Sequence, residues 1–329
     1  MAGPSGFDIP DPALAESVQQ GIAEVEALLH ESVRSDLEFA TRTSLHLVDA
    51  GGKRFRPLFA LLAAQFGDPH AEAVIKSAAI VEMVHLATLY HDDVMDEATM
   101  RRGATSANAR WDNSVAILTG DFLFAQASRL VADLGTDAVR EMAGTFEALV
   151  TGQMRETVGV GADEDAVAFY LKVIHEKTGS LIAIAGKFGA WFSGADPKHV
   201  QAMERIGRLL GTAFQISDDV IDIASPADES GKTPGTDLRE GVRTLPMLYA
   251  LADPSTDARL RELLAGPIEN DADVEEALKL LRESDGLAKA RQTLDEYAAA
   301  VRAELDVLPA VPARDALATL VDYVIARTR

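Results

Sequence analysis

The chain has 329 residues, 47% of them apolar, with 52 acidic against 31 basic side chains and a formal net charge of −21. That length is ample for a sizeable core, while the charge and the absence of any Lys/Arg-rich run argue against nucleic acid as a partner and against binding anionic lipid by charge alone. With no cysteine, disulfides and thiolate metal sites are excluded. No uninterrupted apolar run reaches the length of a membrane span, so no transmembrane segment is expected. Met1-Ala2-Gly3-Pro4-Ser5-Gly6 lacks the basic-then-apolar pattern of a secretory signal, and the expected location is cytoplasmic.

Residues 1–9 read as a flexible lead. Asp11-Pro12 reads as an N-cap followed by proline at the first helical position. Leu14, Val18, Ile22, Val25 and Leu29 then recur at helical spacing, giving an amphipathic helix for core or dimer packing. Gly51-Gly52 suits a left-handed cap and turn that ends a second helix. Lys53, Arg54 and Arg56 follow, with Pro57 expected to start the next helix. Cations at a helix N-terminus oppose its macrodipole, and an anion bound there would resolve the conflict; a solvated basic loop is the alternative. From Ala71 to Met95, Val74, Ala78, Val81, His85 and Leu89 keep helical spacing, so His85 lies on or near a buried face, where a lone histidine is more often core than ligand.

The stretch from Tyr90 to Gly103 opens with Asp92, Asp93 and Asp96 and closes with Arg101 and Arg102. On a helix Asp92 and Asp96 stand one turn apart on one face, with Asp93 beside it. Like charges so placed repel unless a cation joins them. Mg²⁺ suits such oxygens and shares itself with phosphates, for which the arginines supply forked donors. A solvated acidic turn is the competing reading. His91-Asp92 also mimics the paired residues of HD-type phosphohydrolases, but further ligand histidines at suitable spacing are not found.

Gly120-Asp121 is expected to break the chain before a helix from Phe122 to Leu134. Another helix runs from Val139 to Gly152, and an acidic, exposed loop from Gly159 to Asp165. Lys177-Thr178 lies within Tyr170–Ala185 and alone would suit an exposed helix end. The helix from Pro197 to Ile223 ends in Asp218-Asp219-Val220-Ile221-Asp222, with Gln215 one turn earlier. Here three carboxylates stand among apolar neighbours, where desolvation without a partner would be costly. On facing helices the two aspartate clusters could hold several Mg²⁺ ions with a diphosphate between them. Ala224–Asp237 is a Ser/Pro/Gly/Asp-rich loop. The remainder reads as Leu245–Leu251, Ala258–Leu264, Val274–Glu283, Leu287–Leu305 and Ala313–Ala326, all packing helices. No repeat and no strand-type sequence is visible.

The paired aspartate motifs, with Gly51-Gly52-Lys53-Arg54-Phe55-Arg56-Pro57 before the first, resemble the trans-isoprenyl diphosphate synthases (polyprenyl synthetases) over nearly the whole chain. The resemblance implies an all-α, isoprenoid-synthase-type helical bundle with a deep central cavity, a single domain over 1–329 and a homodimer. It implies Mg²⁺ held by Asp92, Asp96 and Asp218, with Asp93, Asp219 and Asp222 supporting. Lys53, Arg56, His85 and Arg102 are assigned by it to isopentenyl diphosphate. Arg101, Lys177, Thr178 and Lys232 are assigned to the allylic diphosphate (farnesyl or geranylgeranyl), and Gln215 to the phosphate and metal network. The common family form has lysine where this chain has Val242. Short-chain members carry Phe or Tyr where Ala87 and Thr88 stand one turn before Asp92, with Val84 a turn further back. The small residues here imply a deeper floor, at Met83 or Phe146, and a hexaprenyl to decaprenyl product. A short-chain synthase, a class I terpene cyclase and a non-catalytic synthase subunit are the alternatives. The cyclase would not need the Lys53–Arg56 patch, and the subunit would be expected to lose aspartates.

Overall fold

A computed structural model describes residues 7–224 and 234–328, and the described residues form helices joined by short connections, with one two-residue hairpin. The all-α expectation holds. The chain divides into two compact units. One comprises Met1–Glu147, Leu181–Gly207 and Leu305–Leu317; the other comprises Ala148–Ser180, Arg208–Glu304 and Ala318–Arg329.

The first unit is built on α4 (Glu72–Met95), which packs most extensively on α6 (Asn113–Ala132), then on α3 (Phe55–Ala64) and α1 (Pro12–Ser32). Helix α4 is apolar around most of its circumference, as befits a helix covered on several sides. Asp11 caps α1, its side chain accepting from Leu14 N at 2.8 Å, with Pro12 first in the helix. The apolar face of α1 is buried within its own unit, so it is core and is not left over for a dimer contact. Helix α2 (Glu38–Asp49) is tied to α4 through Tyr90, whose hydroxyl donates to Thr43 O at 2.5 Å and accepts from Leu47 N at 3.2 Å. Helix α3 begins at Phe55, two residues before Pro57, because Arg54 takes a left-handed N-cap conformation (φ 44°).

Two expectations change here. Gly120 does not break α6: it lies close against α4, and a Cβ there would lie 3.0 Å from Ala87 O and 2.4 Å from His91 Nε2. A hairpin, β1 (Met100–Arg101) and β2 (Ala104–Thr105), follows α4, although no strand is visible in the sequence. Its two central residues, Arg102 (φ 52°) and Gly103 (φ 76°), are both left-handed, the geometry of a type I′ hairpin turn. Helix α5 (Ala107–Arg110) leads into α6.

Helices α7 (Thr136–Val158), α9 (Ser180–Phe192) and α10 (Pro197–Ala224) contribute residues to both units. In the second unit, α8 (Ala166–Ile174) passes through a π-helical turn (His175–Gly179) into α9. Gly152, expected as the last residue of a helix, lies inside α7, where a Cβ would meet Lys177 N at 2.8 Å. The loop from Gly159 to Asp165 is exposed as expected. The short α11 (Thr236–Glu240) is followed by α12 (Leu245–Ala252), α13 (Ala258–Leu263), α14 (Asp271–Glu283), α15 (Asp285–Leu305) and α16 (Pro312–Ala326). Helix α12 packs on α8 and α14.

Two helices, α4 and α6, are long and apolar enough to cross a membrane by length and composition. Two thirds (67%) of the most apolar window of α4 is buried within the structure, against 33% for α6.

Candidate active site

In the first unit the aspartate motif ends α4. Asp96 is the C-cap, its N–H donating to Asp92 O at 2.8 Å, so Asp92 and Asp96 remain one turn apart as expected. Glu97 is left-handed (φ 50°), which terminates the helix. The hairpin then folds Arg101 back, and its Nε donates to Asp93 Oδ1 at 2.6 Å. Asp93 is fully buried, its Oδ2 has no partner, and burial raises its pKa despite Arg101. Asp93 therefore supports from inside, while Asp92 is half-buried and Asp96 exposed. His91 Nε2 lies 3.2 Å from Ile117 O and 3.3 Å from Asp121, so it engages α6 and does not complete a histidine–aspartate metal site.

The same unit gathers a cationic group. Arg54 is buried, donating to Glu26, to Glu82 at 3.0 Å and to Val48 O at 2.9 Å. It is thus a structural ion pair. Arg102 bonds Gly51 O and Leu47 O, with Glu82 3.7 Å away. Arg56 differs: its Nε is sealed from solvent without a partner. Burial lowers the Arg56 pKa to about 10, with Arg102 adding repulsion and Glu82 opposing. Half-buried His85 is held well below its ordinary pKa by burial and then by Arg56, Arg102, Arg54 and Arg101, so it is neutral. Lys53 is exposed on the loop before them. Arg56, with its unsatisfied buried N–H, and Arg102 beside a neutral imidazole form a site suited to a multiply charged anion, with the charges of Arg54 and Arg101 adding to the field.

In the second unit Asp219 is buried, accepting from the Tyr170 hydroxyl and from Gln215 Nε2 at 3.3 Å. Burial pushes its pKa up to about 8; Tyr170 and Gln215 oppose this and Asp237 adds to it. Thr178 Oγ1 donates to Gln215 Oε1 at 3.4 Å, so Thr178, Gln215, Asp219 and Tyr170 make one network. Asp222 accepts from Thr236 N at 3.2 Å and Asp237 N at 3.3 Å, fastening the start of α11 to the end of α10. Asp218 accepts from Arg327 Nη2 at 2.7 Å. Lys177 pairs with Glu156 at 2.6 Å. A cavity of about 350 Å³ in this unit is lined by Glu156, Phe169, Tyr170, Val242 and Arg243 among others, so Val242 faces open space in place of the family's lysine.

Tyr170 and Arg327 were not anticipated as site residues, and Arg327 corrects the view that the C-terminal third serves packing alone. Lys232 lies outside the described residues. Of the chain-length candidates, Val84 and Ala87 are buried, Thr88 is half-buried with its hydroxyl on His85 O, and Phe146 contacts Phe124 with ring centroids 4.0 Å apart. Met83 is fully buried.

Among the described residues no three His, Asp or Glu groups converge closely enough to form a closed metal cage. A divalent cation shared with phosphate oxygens needs no such cage. The groups that would meet it include the unpartnered Asp93 Oδ2 and Asp218, which already holds a cationic partner.

The polyprenyl synthetase family model matches residues 38–281. A nonaprenyl diphosphate synthase of Mycobacterium tuberculosis is 58% identical over 98% of this chain and 97% of that protein. A geranylgeranyl pyrophosphate synthase of Corynebacterium glutamicum, solved with calcium and isoprenyl diphosphate, superposes with a TM-score of 0.88 at 50% identity, over 98% of this chain and 99% of that one. A decaprenyl diphosphate synthase from Rhodobacter capsulatus does so with a TM-score of 0.87 at 34% identity, over 96% and 99%. The motifs, the helices that carry them and this similarity agree: the chain is a prenyltransferase belonging to the polyprenyl synthetase family.

Proposed function

We propose that the chain condenses isopentenyl diphosphate head-to-tail onto a farnesyl or geranylgeranyl diphosphate starter, giving an all-trans hexaprenyl to decaprenyl diphosphate. The observation that carries this reading is the arginine group with the unsatisfied Arg56 Nε, because a second diphosphate substrate needs a site of its own. A terpene cyclase has no use for it. Small residues at Ala87 and Thr88, and the nonaprenyl relative at 58% identity, support the longer product.

Asp92, Asp96 and Asp218 would hold Mg²⁺. When bound, the ion neutralises diphosphate oxygens and makes the group a better leaving group. Arg101, Lys177 and Thr178 orient the allylic diphosphate, and Arg56, Arg102, Lys53 and neutral His85 orient isopentenyl diphosphate. The allylic carbon–oxygen bond breaks, diphosphate leaves with the electron pair, and the isopentenyl double bond attacks the allylic cation. Loss of a proton to the departed diphosphate restores the double bond. No protein nucleophile takes part, so catalysis is positioning and electrostatic stabilisation. The weakly covered apolar face of α6, with Leu118 66% exposed, is read as the surface that a second copy of the chain covers.

The test is Asp92→Ala and Asp218→Ala, assayed with labelled isopentenyl diphosphate, farnesyl diphosphate and Mg²⁺, products being separated by length. Each should lose at least about 10²–10³-fold in kcat with an unchanged circular dichroism spectrum. Activity within a few-fold of wild type would overturn the assignment.

A further inference from the structure

Arg327 lies just beyond the end of α16, 109 positions from Asp218, yet its Nη2 donates to Asp218 Oδ1 at 2.7 Å. The guanidinium also stands over the Phe214 ring, 5.0 Å from its centroid. Phe214 and Asp218 are one turn apart on α10, so Arg327 covers both together. Its position is fixed from either side: Ser217 Oγ donates to Val324 O at 2.9 Å, and buried Thr328 turns its hydroxyl onto Ile325 O at 2.8 Å. Only 20% of the Arg327 side chain and 33% of Asp218 is exposed, so water screens the pair incompletely. Among the described residues, Arg327 Nη1 is buried without a hydrogen-bond partner. The guanidinium is therefore held at Asp218 by the terminal turn, with part of its hydrogen-bonding capacity unused.

We propose that Arg327 is the resident counter-ion of the second aspartate cluster: it stabilises Asp218 in the metal-free chain and must yield that carboxylate before a divalent cation can take it. This rests on Asp218 being a metal ligand. One guanidinium and one divalent ion compete for the same oxygen, so the apparent metal affinity is reduced by the fraction of time the arginine withdraws. If Arg327 holds the carboxylate nine-tenths of the time, its removal tightens binding about tenfold. Arginine suits the role because it stays charged at any working pH and its planar group can stay over the Phe214 ring while releasing the oxygen.

The experiment uses the full-length chain with Asp92→Asn and Asp96→Asn in place, so that the first cluster contributes little. Mg²⁺ alone, without substrate, is titrated calorimetrically, and melting is followed with and without the ion. Arg327→Gln should tighten Mg²⁺ binding roughly three- to tenfold, lower the metal-free Tm and enlarge the rise in Tm that Mg²⁺ causes. Arg327→Lys keeps the charge but loses the fork, and should fall between. Adding Asp218→Asn should abolish the tightening by Arg327→Gln. A purely structural arginine would lower Tm without altering metal affinity. Unchanged affinity in both Arg327→Gln and Arg327→Lys, with Asp218→Asn still weakening binding, would overturn the counter-ion role and leave the metal assignment standing. If Asp218→Asn itself leaves Mg²⁺ binding unchanged, the metal assignment falls and this role with it.

Discussion

Replacing Arg54 by methionine separates the structural arginine from its phosphate-binding neighbours. Arg54 is 3% exposed, and its guanidinium serves Glu26, Glu82, Val48 O and Gly51 O at once. Arg54→Met leaves Glu82, itself 1% exposed, without its hydrogen-bonded partner, the remaining ion-pair contact being Arg102 at 3.7 Å. Removing one partner of a buried pair costs about 3–5 kcal/mol, chiefly because the other charge stays buried. The first unit is large enough that each kcal/mol corresponds to about 2–4 °C, so its Tm should fall by roughly 6–20 °C. Adding Glu82→Met should recover much of the loss, since an apolar pair of similar volume often matches a buried ion pair. Calorimetric melting of the two single variants and the double variant measures this. A fall below about 2 °C for Arg54→Met, or a double variant no more stable than either single one, would refute the assignment of Arg54 as a buried ion-pair residue.

Arg56→Ala should raise KM for isopentenyl diphosphate roughly ten- to hundredfold, the worth of a charge-assisted hydrogen bond, with a much smaller effect on the allylic substrate; Lys177→Ala should do the reverse, and equal effects on both would show the two pockets to be merged. His85 is neutral in the fold but takes a proton near pH 6.5 when unfolded, so below that pH the unfolded chain binds more protons and stability falls by at most about 1.4 kcal/mol per pH unit until the depressed folded pKa is reached. Denaturant melts from pH 7.5 to 5 should show this slope flattened in His85→Gln, and an unchanged slope would place the acid sensitivity elsewhere. Thr88→Phe should shift products to shorter chains with the first condensation intact. Ala87→Phe should do so at an added stability cost of about 1–3 kcal/mol, because Ala87 is buried where α4 meets α6. Unchanged product lengths in both variants would remove these positions from the tail channel.

What the sequence made legible was local. Asp11 announced α1 because capping chemistry lies within three residues of the cap. The aspartate clusters announced themselves because helix spacing sets them side by side. Gly120, read as a break, and Gly152, read as a helix end, lie inside helices, because a glycine that interrupts a helix and one that admits a close neighbour look alike until the neighbour is known. The hairpin at Arg102-Gly103 escaped notice because its strands are two residues long and an arginine occupies a left-handed position usually given to Asn, Asp or Gly. Arg54 could not be told from Lys53 and Arg56 because its partners Glu26 and Glu82 are each 28 positions away. Tyr170 and Arg327 left no local trace either, reaching aspartates 49 and 109 positions off.

The π-helical turn at His175–Gly179 also sets an angular phase. Tyr170 and Thr178 are eight residues apart, and in an unbroken α-helix at about 100° per residue they would point some 80° away from each other. A turn closed by i→i+5 bonds is wider, advancing roughly 80° per residue, so over its few steps it takes back about 70–80°. The two side chains return to one face, and both join the Gln215–Asp219 network. The single wide turn acts as a phase corrector. It lets one nearly continuous helical rod present a phenol before the turn and a hydroxyl within it to the same carboxamide–carboxylate pair, without a loop between them. Regular i→i+4 pairing through the turn at unchanged length would leave the rod helical and put Thr178 about 80° out of phase with Tyr170.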